Sequence, residues 1–259
     1  MKKIVAALLA TVMAASLFAG CGNKNAAVNI TKAEDLEGKK IGVQAGTTGE
    51  TYVTESVKDA KVQSFKSGMD AALDLKNGAI DAIVLDELPA KAIVEQNPDL
   101  TILDCDLATE EYAIAVKKGN TELLEKINAT IQRIKTDGTY ESMANAFMPA
   151  DGEIKIPEHK ATGGDTVIKM GTNAAFPPFE YVEGSEVVGF DITMSEEIAA
   201  DMGAKLQVED MNFDSLLSAL SSDVIDFAAA GMSITEERLK SVDFSEPYYS
   251  SKQVIILKK

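Results

Sequence analysis

The chain predicts an α/β protein made of two similar units, and three observations carry this. Short β-rich runs alternate with amphipathic runs at helical spacing, the pattern of a mostly parallel sheet covered by helices. Residues 71–84 share their rhythm with residues 216–229: a helix, a tight stop, then a buried strand carrying Ile-Asp. Two such units leave a cleft between them, and ligands of open α/β sheets sit at the carboxyl ends of the strands.

The elements follow in order. Residues 40–43 read as a strand, 49–58 as a helix and 61–65 as the next strand. Residues 69–76 place apolar side chains at helical spacing and stop at Asn77-Gly78, a good C-terminal cap. An apolar strand at 80–85 is followed by a helix at 87–96, a stop at Asn97-Pro98 and a short strand at 100–103. Residues 112–117 are a strand candidate, and 121–135 and 138–147 are helices. The segment 149–165 differs in kind, a polar connector rich in turn residues, with the lone histidine, His159, expected to be solvated within it. Beyond it lie a strand at 167–171, a hairpin over 179–188 turning at Glu183-Gly184-Ser185, and a helix capped by Asp191 that runs to about Met202. A strand at 205–209, a helix at 213–220 and a strand at 225–229 complete the second unit.

Charge narrows the partners. With 25 Lys and Arg against 41 Asp and Glu the formal net charge is −16, which argues against nucleic acid and against docking on an anionic bilayer. Residues 1–20 read as an export signal: Lys2 and Lys3 start it, and 4–20 are apolar or small without charge. That run is short for a membrane span, and no later segment approaches the length of one. Its end, Leu17-Phe-Ala-Gly-Cys21, resembles a bacterial lipobox, so Cys21 is the expected lipidation site and 21–29 a flexible tether. Cys105 is then the remaining cysteine, which excludes a disulfide framework and reads as a core thiol at a strand end. The expectation is an exported monomer, lipid-anchored to the outer face of the cytoplasmic membrane or in the periplasm.

Several motifs point further. They are Gly171-Thr-Asn-Ala-Ala-Phe-Pro-Pro-Phe-Glu180, Val188-Gly-Phe-Asp191, Gly231-Met-Ser-Ile-Thr-Glu-Glu-Arg238 and Asp243-Phe-Ser-Glu-Pro-Tyr-Tyr249, joined by Gly46-Thr-Thr-Gly49, Leu85-Asp86 and Asp137-Gly-Thr-Tyr140. Together they make the chain from about residue 30 to 259 similar to the polar amino-acid family of bacterial extracellular solute-binding proteins, the ligand-capturing subunits of ABC importers. The resemblance implies a two-lobed periplasmic-binding-protein-like fold of type II with the ligand cleft between the lobes. The order of the motifs departs from the family, whose Gly-Thr-Asn-type segment usually comes first. It implies a circular permutation: a smaller lobe at 30–108, a hinge crossing at 109–118, and a larger lobe over 119–259 in which 149–165 joins the usual termini. One covalent crossing would then remain, with a looser hinge.

A free amino acid needs an anion receptor, a cation receptor and a side-chain pocket. Arg238 offers paired donors that fit an α-carboxylate bidentately. Thr47 and Thr48 precede a helix, where hydroxyls and backbone N–H groups can meet the same carboxylate from the other lobe. Asp86, just past a buried strand, would take the α-ammonium, with Ser233 and the Gly231 backbone adding hydrogen bonds. By resemblance, Phe176 and Phe213 sandwich the ligand side chain. Asn173 stands where binders of basic side chains or glutamine often carry an acid, and Gly49 replaces a side chain that some relatives use. Arginine, lysine, glutamine and cystine therefore all remain open as ligands.

The implied function is capture of a polar amino acid by lobe closure and delivery to an ABC permease, without cofactor, metal or catalytic group. The rivals are an eliminating, dehydratase-like enzyme on the same scaffold, for which the cleft offers no histidine as acid or base, and a ligand sensor.

Overall fold

A computed structural model describes residues 29–103, 105, 107–150, 153–160 and 163–259. The expected signal, the lipidation site Cys21 and all but the last residue of the tether lie outside the described residues.

After a short 3-10 turn the chain forms β1 (Lys40–Gln44), α1 (Thr48–Ser56), β2 (Lys61–Phe65), α2 (Gly68–Asn77), β3 (Ala82–Asp86), α3 (Glu87–Gln96) and β4 (Leu100–Leu103). Then come β5 (Thr109–Tyr112), β6 (Ala115–Lys117), α4 (Thr121–Asp137) and α5 (Thr139–Phe147). Past the connector lie β7 (Thr166–Thr172), β8 (Ala175–Phe176), β9 (Glu180–Glu183), β10 (Glu186–Val188), α6 (Phe190–Asp201) and β11 (Ala204–Asp210). A 3-10 turn at Phe213–Ser215 precedes α7 (Leu216–Ser221), β12 (Phe227–Ala228), β13 (Val242–Phe244) and β14 (Tyr249–Lys258).

Local chemistry sets the boundaries. Thr47 caps α1 by accepting from the Glu50 N–H, and Ser67 caps α2 by accepting from the Asp70 N–H. Gly78 ends α2 in the left-handed conformation (φ 72°), donating to Asp74 O and Leu75 O, as Asn77-Gly78 predicts. Along α4 the buried side chains Leu123, Ile127, Ile131 and Ile134 recur at three- and four-residue spacing and form one apolar stripe.

The strands form two main sheets, in orders β2-β1-β3-β14-β4 and β11-β7-β12-β6-β13, with β8–β10 as a small third sheet. The expected two-lobed α/β architecture is present. The internal echo has a physical basis as well. Ile80 lies over Gly42 of β1, where an added Cβ would stand 2.5 Å from its Cδ1, and Ile225 lies over Gly171 of β7, where the distance would be 2.3 Å. The aspartate after each isoleucine closes the same loop. Asp81 accepts from Lys40 N–H at 2.8 Å, and Asp226 accepts from Lys169 N–H at 2.7 Å. Each unit thus uses a glycine in the strand to let the returning isoleucine approach, and an aspartate to hold the backbone N–H two residues before that glycine.

The larger lobe does not run unbroken over 119–259, and the single crossing is replaced by two. Tyr249–Lys252 of β14 pair antiparallel with β5, but Gln253–Lys258 insert between β3 and β4 in the first sheet. The reason is burial. Val254, Ile255 and Ile256 are at most 3% exposed, and a run this apolar on both faces belongs in the middle of a sheet. Two paired strands therefore connect the lobes, which removes the basis for a loosened hinge.

Smaller differences have local causes. The strand expected at 112–117 is broken between β5 and β6, where Ala113 and Ile114 bond to Met232 O and to the Ser245 hydroxyl. The expected helix at 213–220 begins as a 3-10 turn, and the strand at 225–229 shortens to β12. Asp191 does not cap α6: Gly189 holds the cap position, and the Asp191 carboxylate is buried. Cys105 is only partly buried, packed against the core of the first sheet.

His159 is not simply solvated. Its Nδ1 lies 2.5 Å from the Glu196 carboxylate and its Nε2 3.5 Å from Glu186, while Lys160 reaches Glu197 at 2.6 Å. Glu196 and Glu197 are less than a tenth exposed on α6, so each needs a partner, and the connector supplies one. Together with Lys155 N–H on Ala146 O at 2.9 Å, these contacts tie the connector to the second lobe.

Two outcomes follow. The Glu196 contact, against a smaller opposing effect of burial, raises the His159 pKa above 6.5. Its stabilisation is complete below that value and is lost as pH rises through the raised folded-state value. Thermal melts from pH 5.5 to 8.5 should show this loss, and His159→Gln should flatten it. Ile255→Ala, in the shared strand, should cost about 2–5 kcal/mol in denaturant unfolding.

Candidate binding cleft

The carboxyl ends of β1, β3, β7 and β12 converge where β5 and β14 cross between the lobes. From the first lobe come Gln44, Thr47, Thr48 and Asp86; from the second come Phe176, Phe213, Gly231, Ser233 and Arg238. These nine line one inner chamber, which brings together all but one of the sequence-predicted ligand residues. The exception, Asn173, lies beside it. Its side chain accepts from Gln44 Nε2 at 2.9 Å and donates to Met211 O at 2.9 Å.

The lobes are closed on each other. Arg238 Nη2 donates across the cleft to Gly46 O at 2.9 Å, and Nη1 donates to Ser233 O at 2.7 Å. The guanidinium stands 5.3 Å from the Phe213 ring centroid, a favourable cation–π distance. It does not pair with its acidic neighbour Glu237, which binds Lys240 instead. The inner chamber measures about 10 Å³, space for one water, so a larger ligand enters only when the lobes part. Outside it an open vestibule of about 1080 Å³ shares Thr48, Ser233 and Arg238 with the chamber and adds Glu110, Tyr52 and Thr235.

Asp86 occupies the cap position of α3 without capping it. Its carboxylate accepts from the Tyr112 hydroxyl and from Gln253 Nε2, the latter at 2.9 Å. Burial, and then the charge of Glu110, push its pKa up to about 7. Glu110 accepts from the Ser233 hydroxyl at 2.7 Å and from the same Gln253 amide at 3.2 Å. Burial lowers the Arg238 pKa, and the charges of Glu110 and Asp86 work against that shift. Thr47 spends its hydroxyl on Gln44 O (2.8 Å) and on the Glu50 N–H, which leaves Thr48 as the threonine with a hydroxyl facing the cleft. A Cβ at Gly49 would stand 2.8 Å from Gln253 Oε1, so a side chain there must displace that amide.

Gly231 shapes the chamber wall. Its φ is +53°, and a Cβ would meet Phe176 Cε1 at 2.7 Å. Its N–H is already donated to Asp191 at 2.9 Å, so the expected ligand bond from that donor is not available. Asp191 also accepts from the Tyr248 hydroxyl at 2.6 Å. Burial pushes its pKa up to about 6 and raises that of the neighbouring, fully buried Glu180 well above the carboxylate range. Neither Glu180 oxygen meets a donor among the described residues.

Sequence reasoning missed Gln44, Glu110, Tyr112 and Gln253. Gln253 had a signal, as the amide entering the apolar run Val254 to Leu257. Glu110 had none, because its partners Ser233 and Gln253 lie more than a hundred residues away in sequence. Among the described residues no cluster of His, Cys, Asp and Glu is arranged to hold a metal.

The two-lobed α/β fold thus places a polar chamber where its strands cross between the lobes. Residues 168–259 match the model of bacterial extracellular solute-binding proteins, family 3. The chain is 44% identical over 96 residues to the arginine-binding extracellular protein ArtP of Bacillus subtilis, covering 37% of this chain and 38% of that protein. It is 34% identical over 137 residues to ABC transporter arginine-binding protein 1 of Escherichia coli, covering 49% of this chain and 56% of that one. Among solved structures, the arginine-bound domain 1 of TmArgBP is 39% identical, with 36% of this chain and 80% of that chain covered and a TM-score of 0.32. The matches thus span 38% to 56% of the length of these two curated relatives.

Gly231→Ala tests the chamber wall. The added methyl must displace the Phe176 ring and hold a positive φ, so unfolding stability should fall by about 1–3 kcal/mol in chemical denaturation.

Proposed function

We propose that the chain captures a free polar amino acid between its lobes outside the cytoplasm and presents it, closed, to an ABC-type permease. The observation that carries this is the pairing of Arg238 and Asp86. They have opposite formal charge, lie on opposite lobes, are each at least nine-tenths buried, and face one chamber. An α-carboxylate on Arg238 and an α-ammonium on Asp86 would replace interactions that each group now finds only within the protein. Thr48 and Ser233 stand beside them as hydroxyl partners, and Phe176 and Phe213 offer apolar walls for the side chain.

Function then follows from closure. Groups from both lobes engage the ligand together only when the lobes meet, so the ligand draws the population toward the closed form. That form is the one a permease would recognise. The arginine-binding names of the relatives favour a basic amino acid. The order of the motif segments is best read as a circular permutation in which the connector strapped along α6 joins the usual termini. Export with a lipid on Cys21 completes the reading.

Isothermal titration calorimetry of the protein without residues 1–21, against the standard amino acids and cystine, tests it. Saturable one-to-one binding of one or a few is expected. Arg238→Met should weaken that binding at least about 100-fold, the loss of two charge-assisted hydrogen bonds. A folded protein silent across the panel would sink the proposal.

A further inference from the structure

The cleft has an unbalanced set of charges and acceptors. Chamber and vestibule together are lined, among the described residues, by the carboxylates of Asp86, Glu55, Glu110, Glu111 and Glu237, and by a single cation, Arg238. Glu237 is tied to Lys240, and Glu55 and Glu111 are exposed at the mouth. Asp86 and Glu110 are different, since they meet at one donor. The Gln253 side-chain amide serves both, at 2.9 Å and 3.2 Å.

The neutral groups add acceptors as well. Gln44 is 2% exposed and lines the chamber, and its Oε1 meets no donor among the described residues. Its amide nitrogen is committed to Asn173, whose own amide nitrogen is committed to Met211 O. Neither side chain can turn a donor toward Glu110 without breaking these bonds.

Two carboxylates facing one guanidinium do not suit a neutral zwitterion. Its carboxylate would neutralise Arg238 and its ammonium one of the acids, leaving the second acid short of a counter-charge in a closing cleft. Burying an uncompensated charge is costly. A ligand with one further cation leaves no acid unmatched.

Building on the amino-acid reading above, we propose that Glu110 is the specificity-determining residue of this cleft. With Asp86 it forms a two-carboxylate receptor that selects amino acids carrying a cationic side chain over neutral ones of the same shape. The upward push that Glu110 gives Asp86 agrees with this, because two acids this close are stabilised by positive charge placed between them.

L-arginine and L-citrulline test the idea, being nearly the same shape but differing by one charge. Calorimetric titration of the wild-type protein should give arginine an affinity at least about 30-fold higher than citrulline, the scale of one charge-assisted hydrogen bond lost to a buried acid. Glu110→Gln should reduce the ratio to below about fivefold, and Glu110→Asp, which keeps the charge, should retain most of it. Equal wild-type affinity for the two ligands would overturn the inference without recourse to any variant. So would a folded Glu110→Gln protein that weakens both ligands by the same factor, since Glu110 would then be structural. Silence of the folded wild type toward every amino acid would instead overturn the capture reading itself, and this inference with it.

Discussion

The geometry of the molecule depends on the pairing of β14 with two different partners. Its first four residues are held by β5 between the lobes, and its last six are held inside the first sheet by β3 and β4. The switch of partner falls at Gln253, the last polar residue before three buried aliphatic ones. The same strand therefore ties the lobes together and delivers an amide to Asp86 and Glu110. Two paired strands, β5 and β14, thus run between the lobes.

The cleft is supported from behind. Tyr112 reaches Asp86 with its hydroxyl, while its ring packs against Phe179 at 5.2 Å and Tyr249 at 5.7 Å between centroids. Asp191 holds the Gly231 turn from below and fixes Tyr248 at the same time. Burial, and then the charge of Asp191, raise the pKa of the neighbouring Glu180. The second lobe thus presents a rigid wall, and the first brings Asp86 and the α1 terminus to it.

Closure and charge are linked through the same residues. In the closed structure Arg238 bonds to Gly46 O across the cleft, so the protein's own carbonyl occupies a donor that a carboxylate would take. The two acids share one amide in a similar way. On the proposed reading these are weak substitutes for a charged ligand, and the difference between them and the ligand's own groups would be the free energy that biases closure.

The sequence by itself determined the local part of this protein. The alternation of elements, the Gly78 cap, the Thr47 cap and the two Ile-Asp returns were legible because each rests on contacts within a few residues or on a repeated pattern, whereas Arg238, Asp86, Phe176, Phe213 and Ser233 were singled out by the family resemblance. Tertiary structure decided the rest. Nothing near Gln253 in sequence shows that its strand leaves one sheet for the other. The choice depends on where a strand apolar on both faces can be buried, and that place is between β3 and β4, some 150 to 170 residues away in sequence. Likewise Glu110 and His159 look solvated until Ser233, Gln253, Glu186 and Glu196 are brought to them. A polar side chain's role is set by the partner that closes its hydrogen bonds, and for these residues the partner lies on another element.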